Sequence, residues 1–172
     1  MKSELAYAVN RKSQIAIEYC YRWHNQHPQG HVFWTHASNQ ARLDQAYKGI
    51  AKKLRLPGCN DPETDIFEIV FEWLCDEDHG PWLLVLDNAD DIETFSNPMS
   101  NALLVKGRSP TPLLKFLPRS PNGSMIITTR DKRIGDRLAD RAKTITVPLM
   151  MSQEADNLLR LAVSPQSNSD KN

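Results

Sequence analysis

Trp82-Leu83-Leu84-Val85-Leu86-Asp87 is the stretch on which the fold turns. An apolar run closed by a carboxylate lacks the alternation of a half-solvated strand. It is also too short for a buried helix. Such a run reads as a strand covered on both faces, the mark of a parallel sheet. Gly80-Pro81 stops the helix that precedes it. Met125-Ile126-Ile127-Thr128-Thr129 has the same character and reads as a second buried strand. His31-Val32-Phe33-Trp34-Thr35-His36 is β-branched and aromatic, and Ile145-Thr146-Val147 is a shorter strand candidate.

Helical patterns lie between these runs. Ile15, Ala16, Tyr19, Cys20 and Trp23 form one apolar stripe, and residues 4–23 read as a single helix. The alternative is a strand over residues 5–9. His27-Pro28-Gln29-Gly30 breaks that helix. Leu43, Ala46, Tyr47, Ile50, Ala51 and Leu54 give the clearest amphipathic helix, capped by Ser38 or Asn39 and ended by Pro57-Gly58. Asp61-Pro62 is expected to open the next helix, with Ile66, Val70, Trp73 and Leu74 as its apolar face. Residues 96–112 read as a loop, 118–123 as a turn, and Ser152 as the cap of a last helix through Leu161. Helices alternating with short buried strands predict a doubly wound α/β sheet, in which ligands sit at the carboxyl ends of the strands.

Composition sets outer bounds. The 172 residues suit one domain, at about 150 residues per domain. Lys plus Arg and Asp plus Glu each number 21, which argues against a nucleic-acid or membrane-surface binder. With 40% hydrophobic and 24% charged residues the chain is globular in character. It shows no membrane-spanning run and no apolar leader, and its three cysteines, Cys20, Cys59 and Cys75, read as buried or free thiols in the reducing compartment of a cytoplasmic protein. Charge is uneven along the chain: residues 61–91 hold eleven acidic and no basic side chains, and residues 106–143 hold ten basic against three acidic. This fits two solvated or mutually attracting faces, or a basic side turned toward a polyanion such as a nucleotide. The histidines lack the spacing of a metal site, and the four tryptophans fall on apolar faces as core residues.

Three groups are candidates for chemistry. Asp87 closes its strand where a carboxylate reaches Mg²⁺ directly or through water. Thr129 and Arg130 follow the second buried strand, where an arginine reaches a terminal phosphate. Lys12-Ser13 precedes the apolar stripe of the first amphipathic helix. In a phosphate loop such a pair supplies a cation for the β- and γ-phosphates and a hydroxyl for Mg²⁺.

Taken in order, Lys12-Ser13-Gln14-Ile15-Ala16-Ile17-Glu18-Tyr19, Val32-Phe33-Trp34-Thr35-His36-Ala37-Ser38, Leu84-Val85-Leu86-Asp87-Asn88-Ala89-Asp90-Asp91, Gly123-Ser124-Met125-Ile126-Ile127-Thr128-Thr129-Arg130 and Met151-Ser152-Gln153-Glu154-Ala155 resemble the NB-ARC domains of fungal STAND-type signal-transduction P-loop NTPases. The resemblance implies a P-loop NTPase-like parallel sheet flanked by helices over residues 1–162, and the polar residues 163–172 read as a disordered tail. It implies an ADP/ATP-driven switch that opens and oligomerises on exchange, often beside a tetratricopeptide sensor array. By position it makes Lys12 and Ser13 the Walker A pair, Asp87 the Walker B carboxylate and Arg130 the sensor arginine. Thr129 then lies beside the nucleotide, and Ser13 and Asp87 hold Mg²⁺.

The sequence also departs from that pattern. No glycine precedes Gly30, and Arg11 stands where the loop's last glycine belongs, with a side chain expected to enter the phosphate space. The first strand and phosphate loop are therefore expected to be incomplete. Asn88 replaces the acidic residue that orients water in many P-loop ATPases, which leaves Asp90 or Asp91 as a substitute and at most a weak ATPase. The winged-helix motifs are absent, so the chain reads as part of a larger architecture. Three functions follow: a switch that binds ADP or ATP with Mg²⁺; a degenerate module that binds no nucleotide and associates with itself or with intact relatives; and an unrelated α/β module of the response-regulator kind.

Overall fold

The structure is a computed structural model and describes residues 11–97, 111–139, 144–148, 151, 153 and 154. Three parallel strands lie at its centre in the order β1 (His31–His36), β2 (Trp82–Asp87), β3 (Gly123–Ile127). This is the expected α/β architecture, a parallel sheet flanked by helices as in P-loop NTPase-like domains. In register, His31 lies opposite Trp82 and His36 opposite Asp87, and Leu86 lies opposite Ile127. All six residues of β2 are buried, as its unbroken apolar run requires. Among the described residues β3 pairs only with β2, and its residues are mostly half-buried rather than buried as expected. Gly123 opens β3 beneath the Trp82 indole, where a Cβ would overlap the ring. The Trp82 indole N–H donates to Leu74 O at 2.8 Å, so this large ring is buried with its polar atom satisfied.

The strand period of two sends alternate side chains to opposite faces. Trp82, Leu84 and Leu86 point with Phe33 into the larger core, under α2 (Gln40–Leu54) and α3 (Ile66–Cys75). A 3₁₀ turn at Leu113–Phe116 and α5 (Lys132–Ala139) close that side. Leu83 and Val85 point the other way, where they meet Ala16 and Trp23 of α1 (Arg11–Gln26). Ser13, Ala16, Cys20 and Trp23 recur at steps of three and four, so one stripe of α1 runs the length of the sheet. The outer side of α1 leaves Ile15, Tyr19 and Tyr21 exposed.

Several boundaries differ from the sequence reading. α1 runs three residues past Trp23 to Gln26, and the proposed start at residue 4 and the alternative strand at 5–9 lie outside the described residues. Asn39 caps α2 by accepting from the Arg42 N–H at 2.9 Å. Helix α3 starts at Ile66 rather than after Asp61-Pro62. The Asp65 carboxylate accepts from the Phe67 and Glu68 N–H groups, whereas Asp61 accepts from Glu63 alone and closes a turn. Residues 93–96, part of the expected loop's approach, form the short helix α4 (Glu93–Ser96). The expected strand at 145–147 is irregular and joins no described strand, with Ile145 76% exposed. Most of the expected loop at 96–112, the last helix beyond Glu154 and the tail at 163–172 lie outside the described residues. No helix among the described residues is long and apolar enough to cross a membrane. The three cysteines are free thiols, and each is half-buried rather than buried.

Candidate functional site

The two faces of the sheet differ most at its carboxyl end. Parity places Asp87 on the same face as Leu83 and Val85, toward α1. It places His36 with Val32 and Trp34, and Thr128 with Ile126, on that same face. Register aligns His36 beside Asp87, and Thr128 follows Ile127 on the third strand. A polar row, His36–Asp87–Thr128, therefore crosses the ends of all three strands.

Ser13 covers this row. It belongs to the α1 stripe that continues through Ala16 and Trp23, so docking of the helix carries its hydroxyl to the strand ends. Ser13 Oγ donates to Asp87 Oδ1 at 2.6 Å, and Thr128 Oγ1 donates to the same oxygen at 2.7 Å. The Thr128 hydroxyl also accepts from the Asn88 N–H at 2.9 Å. Asn88 adopts a left-handed backbone, with φ 62°, which turns the chain as soon as β2 ends. Asp87 is only 5% exposed. A buried carboxylate costs several kcal/mol unless its lone pairs are met, and each bond from a hydroxyl to a charged acceptor returns about 1.5–3 kcal/mol. Both described donors act on Oδ1. Oδ2 faces His36 Nδ1 at 3.7 Å, too far for a hydrogen bond.

A second cluster lies beside the first. The Asp90 carboxylate accepts from the Arg130 backbone N–H at 2.6 Å and from the Arg130 guanidinium, and Thr129 Oγ1 donates to it at 3.3 Å. The Ala89 N–H donates to Thr128 O at 2.8 Å and holds the two segments together. Arg130 is largely exposed and Asp90 is not.

The sequence candidates thus fall into two groups. Ser13 and Asp87 are in contact. Thr129, Arg130 and Asp90 are joined to one another. Lys12 is half-buried next to Ser13. Arg11 departs from its expected position: its guanidinium donates to Pro148 O at 2.9 Å and lies 3.6 Å from Glu154, so it is drawn toward the chain's later segment rather than into a phosphate space. Sequence reading did not select His36 or Thr128. Histidines were weighed by helical spacing, whereas the signal lay across strands: His36 ends β1 as Asp87 ends β2. Among the described residues no group of three His, Cys, Asp or Glu side chains converges as a metal site.

The chain is similar to a nucleotide-binding leucine-rich repeat (NLR)-like protein of Hyaloscypha variabilis, at 29% identity over 152 residues. The match covers 88% of this chain and 15% of that protein, so the chain spans a small part of its relative's length. No family profile matches the chain. No solved structure matches it either. The α/β fold is consistent with a P-loop NTPase-like domain. The relationship to the NLR-like protein is distant.

Proposed function

We propose that this is an NB-ARC-like (STAND) regulatory domain that binds ADP or ATP with a divalent cation and acts as a nucleotide-dependent signalling switch. One observation carries the reading. The hydroxyl at the start of α1 and the carboxylate at the end of β2, 74 residues apart in sequence, meet at 2.6 Å in a buried bond. A hydroxyl and a carboxylate side by side are hard oxygen donors, and Asp87 Oδ2 takes no described hydrogen bond, so the donor set fits Mg²⁺. When bound, the cation would neutralise phosphate charge. Ser13 and Asp87 would hold it, Thr128 would keep Asp87 in place, and Lys12 would supply a further positive charge. Asp90 keeps Arg130 and Thr129 fixed near the same strand ends, so a phosphate that engages Arg130 must compete with that carboxylate.

A second reading, an interaction module that binds no nucleotide, is supported by two observations. No glycine occurs among residues 1–29 to shape a phosphate loop, and α1 exposes Ile15, Tyr19 and Tyr21. Under this reading its partner would be another copy or an intact relative.

Titration with a fluorescent ADP in the presence of Mg²⁺ separates the two. Saturable binding that weakens at least tenfold in Lys12→Ala and in Asp87→Asn is the outcome expected of the switch. Absence of binding by protein with a cooperative melting transition overturns it and leaves the interaction module.

A further inference from the structure

We propose that His36 is a nitrogen ligand of the cation position on Asp87, and that this position therefore selects a nitrogen-accepting divalent cation, such as Mn²⁺ or Co²⁺, over Mg²⁺. The inference rests on the cation-binding reading above and adds the residue that sets cation preference. Three observations support it. Ser13 and Thr128 both donate to Asp87 Oδ1, so the carboxylate is oriented with Oδ2 turned away from them. His36 Nδ1 stands 3.7 Å from that oxygen, and its neighbourhood follows from register, since His36 and Asp87 are paired residues of adjacent strands on one face. The imidazole makes no hydrogen bond with the described residues, and its side chain is 58% exposed, so it is free to turn toward an ion.

The distance itself is informative. Two donor atoms bound at about 2.1 Å lie about 3.0 Å apart at an octahedral angle of about 90° and about 3.4–3.6 Å apart at about 110–120°. A gap of 3.7 Å is thus too long for a direct bond and close to the span of two ligands on one ion. Mg²⁺ takes oxygen donors and dehydrates reluctantly, so an imidazole serves it poorly. Imidazole suits the later first-row metals, and Mn²⁺, a softer ion than Mg²⁺, serves as the paramagnetic probe of the position.

The test uses the tag-free full chain, Mn²⁺ alone and then Mg²⁺ as competitor, with His36→Gln and Asp87→Asn. Bound Mn²⁺ is read by electron paramagnetic resonance, and its directly bonded nitrogen by the ¹⁴N modulation of the echo. The expected result is Mn²⁺ binding with a ¹⁴N signal that His36→Gln removes, together with about a tenfold loss of Mn²⁺ affinity and little change for Mg²⁺. A ¹⁴N signal that is absent in the wild type or that survives in His36→Gln, with binding still lost in Asp87→Asn, overturns the role of His36 and leaves the cation reading standing. Mn²⁺ binding that is absent, or indifferent to Asp87→Asn, overturns both. His36 is exposed at a strand end, so its replacement leaves the fold intact, and thermal melting of each variant checks this.

Discussion

The two faces of the sheet are built from the same strands and yet differ in kind. One face packs twenty buried residues from β1, β2, α2, α3, α4, α5 and the intervening turns. The other buries Ala16, Trp23, Leu83 and Val85 under a single helix and ends in the polar row of His36, Asp87 and Thr128. The first face is continuous apolar packing, and its stability derives from area removed from water. The second is thin, and the group that fixes α1 at the carboxyl end is a charged hydrogen bond rather than a side chain in a core. Stability and chemistry are therefore divided between the faces of one strand, by nothing more than the parity of its residues.

Adjacent leucines on β2 test this division most strongly. Leu83 and Leu84 are both fully buried, on opposite faces. Leu84→Ala is expected to cost about 4–5 kcal/mol in urea unfolding, because α2, α3 and the sheet cannot collapse around the cavity. Leu83→Ala is expected to cost about 2–3 kcal/mol, because α1 is a lone helix and can settle inward. Equal losses would mean that the α1 face is as rigidly packed as the other.

Tyr47 gives a smaller effect on the larger face. It is fully buried against Phe67, and its hydroxyl has no hydrogen-bond partner among the described residues. Burial also drives its phenol above the ordinary value and keeps it neutral. Tyr47→Phe removes an unsatisfied polar atom and is expected to raise stability by about 0.5–1 kcal/mol. A loss in melting temperature would show that the hydroxyl has a partner and that the face is not wholly apolar.

The smallest effect lies at the rim of that face. His31 stacks with Phe33 and meets the edge of Trp73. Its pKa is lowered, first by desolvation and then by Lys53 and His79. The unfolded chain therefore binds a proton at a higher pH than the folded one. Stability from this group is present above the ordinary value of about 6.5 and declines as pH falls through the folded value. The urea midpoint is expected to fall between pH 7.5 and 5.5, less steeply in His31→Gln. Identical slopes would assign the dependence to other groups.

Much of the fold was legible because the deciding signals are local. The run ending in Asp87 and the stripe through Leu43, Tyr47 and Ile50 each state their burial within a few residues. The α3 boundary was misread because Asp61 and Asp65 are both competent caps, and what separates them is the number of N–H groups each meets after folding. The burial of β3, though not its being a strand, and the strand at 145–147 were misread for another reason: how deeply a strand is buried depends on whether a neighbour lies beside it, and sequence does not state its neighbours. The candidate site was half legible. Ser13 and Asp87 were selected as single residues with the right chemistry. The row they belong to was not, because His36 and Thr128 join it only through register.

The bracing of β2 on both edges has a consequence in time. Its amides are bonded to strands on either side beneath fully buried side chains, so they should exchange with solvent only when the whole molecule opens. Ser13 reaches Asp87 from a peripheral helix whose outer surface is wet. The two halves of the same bond thus belong to the slowest and to one of the faster-opening parts of the chain. The site will come apart through departures of α1, with Asp87 staying at its post on the strand.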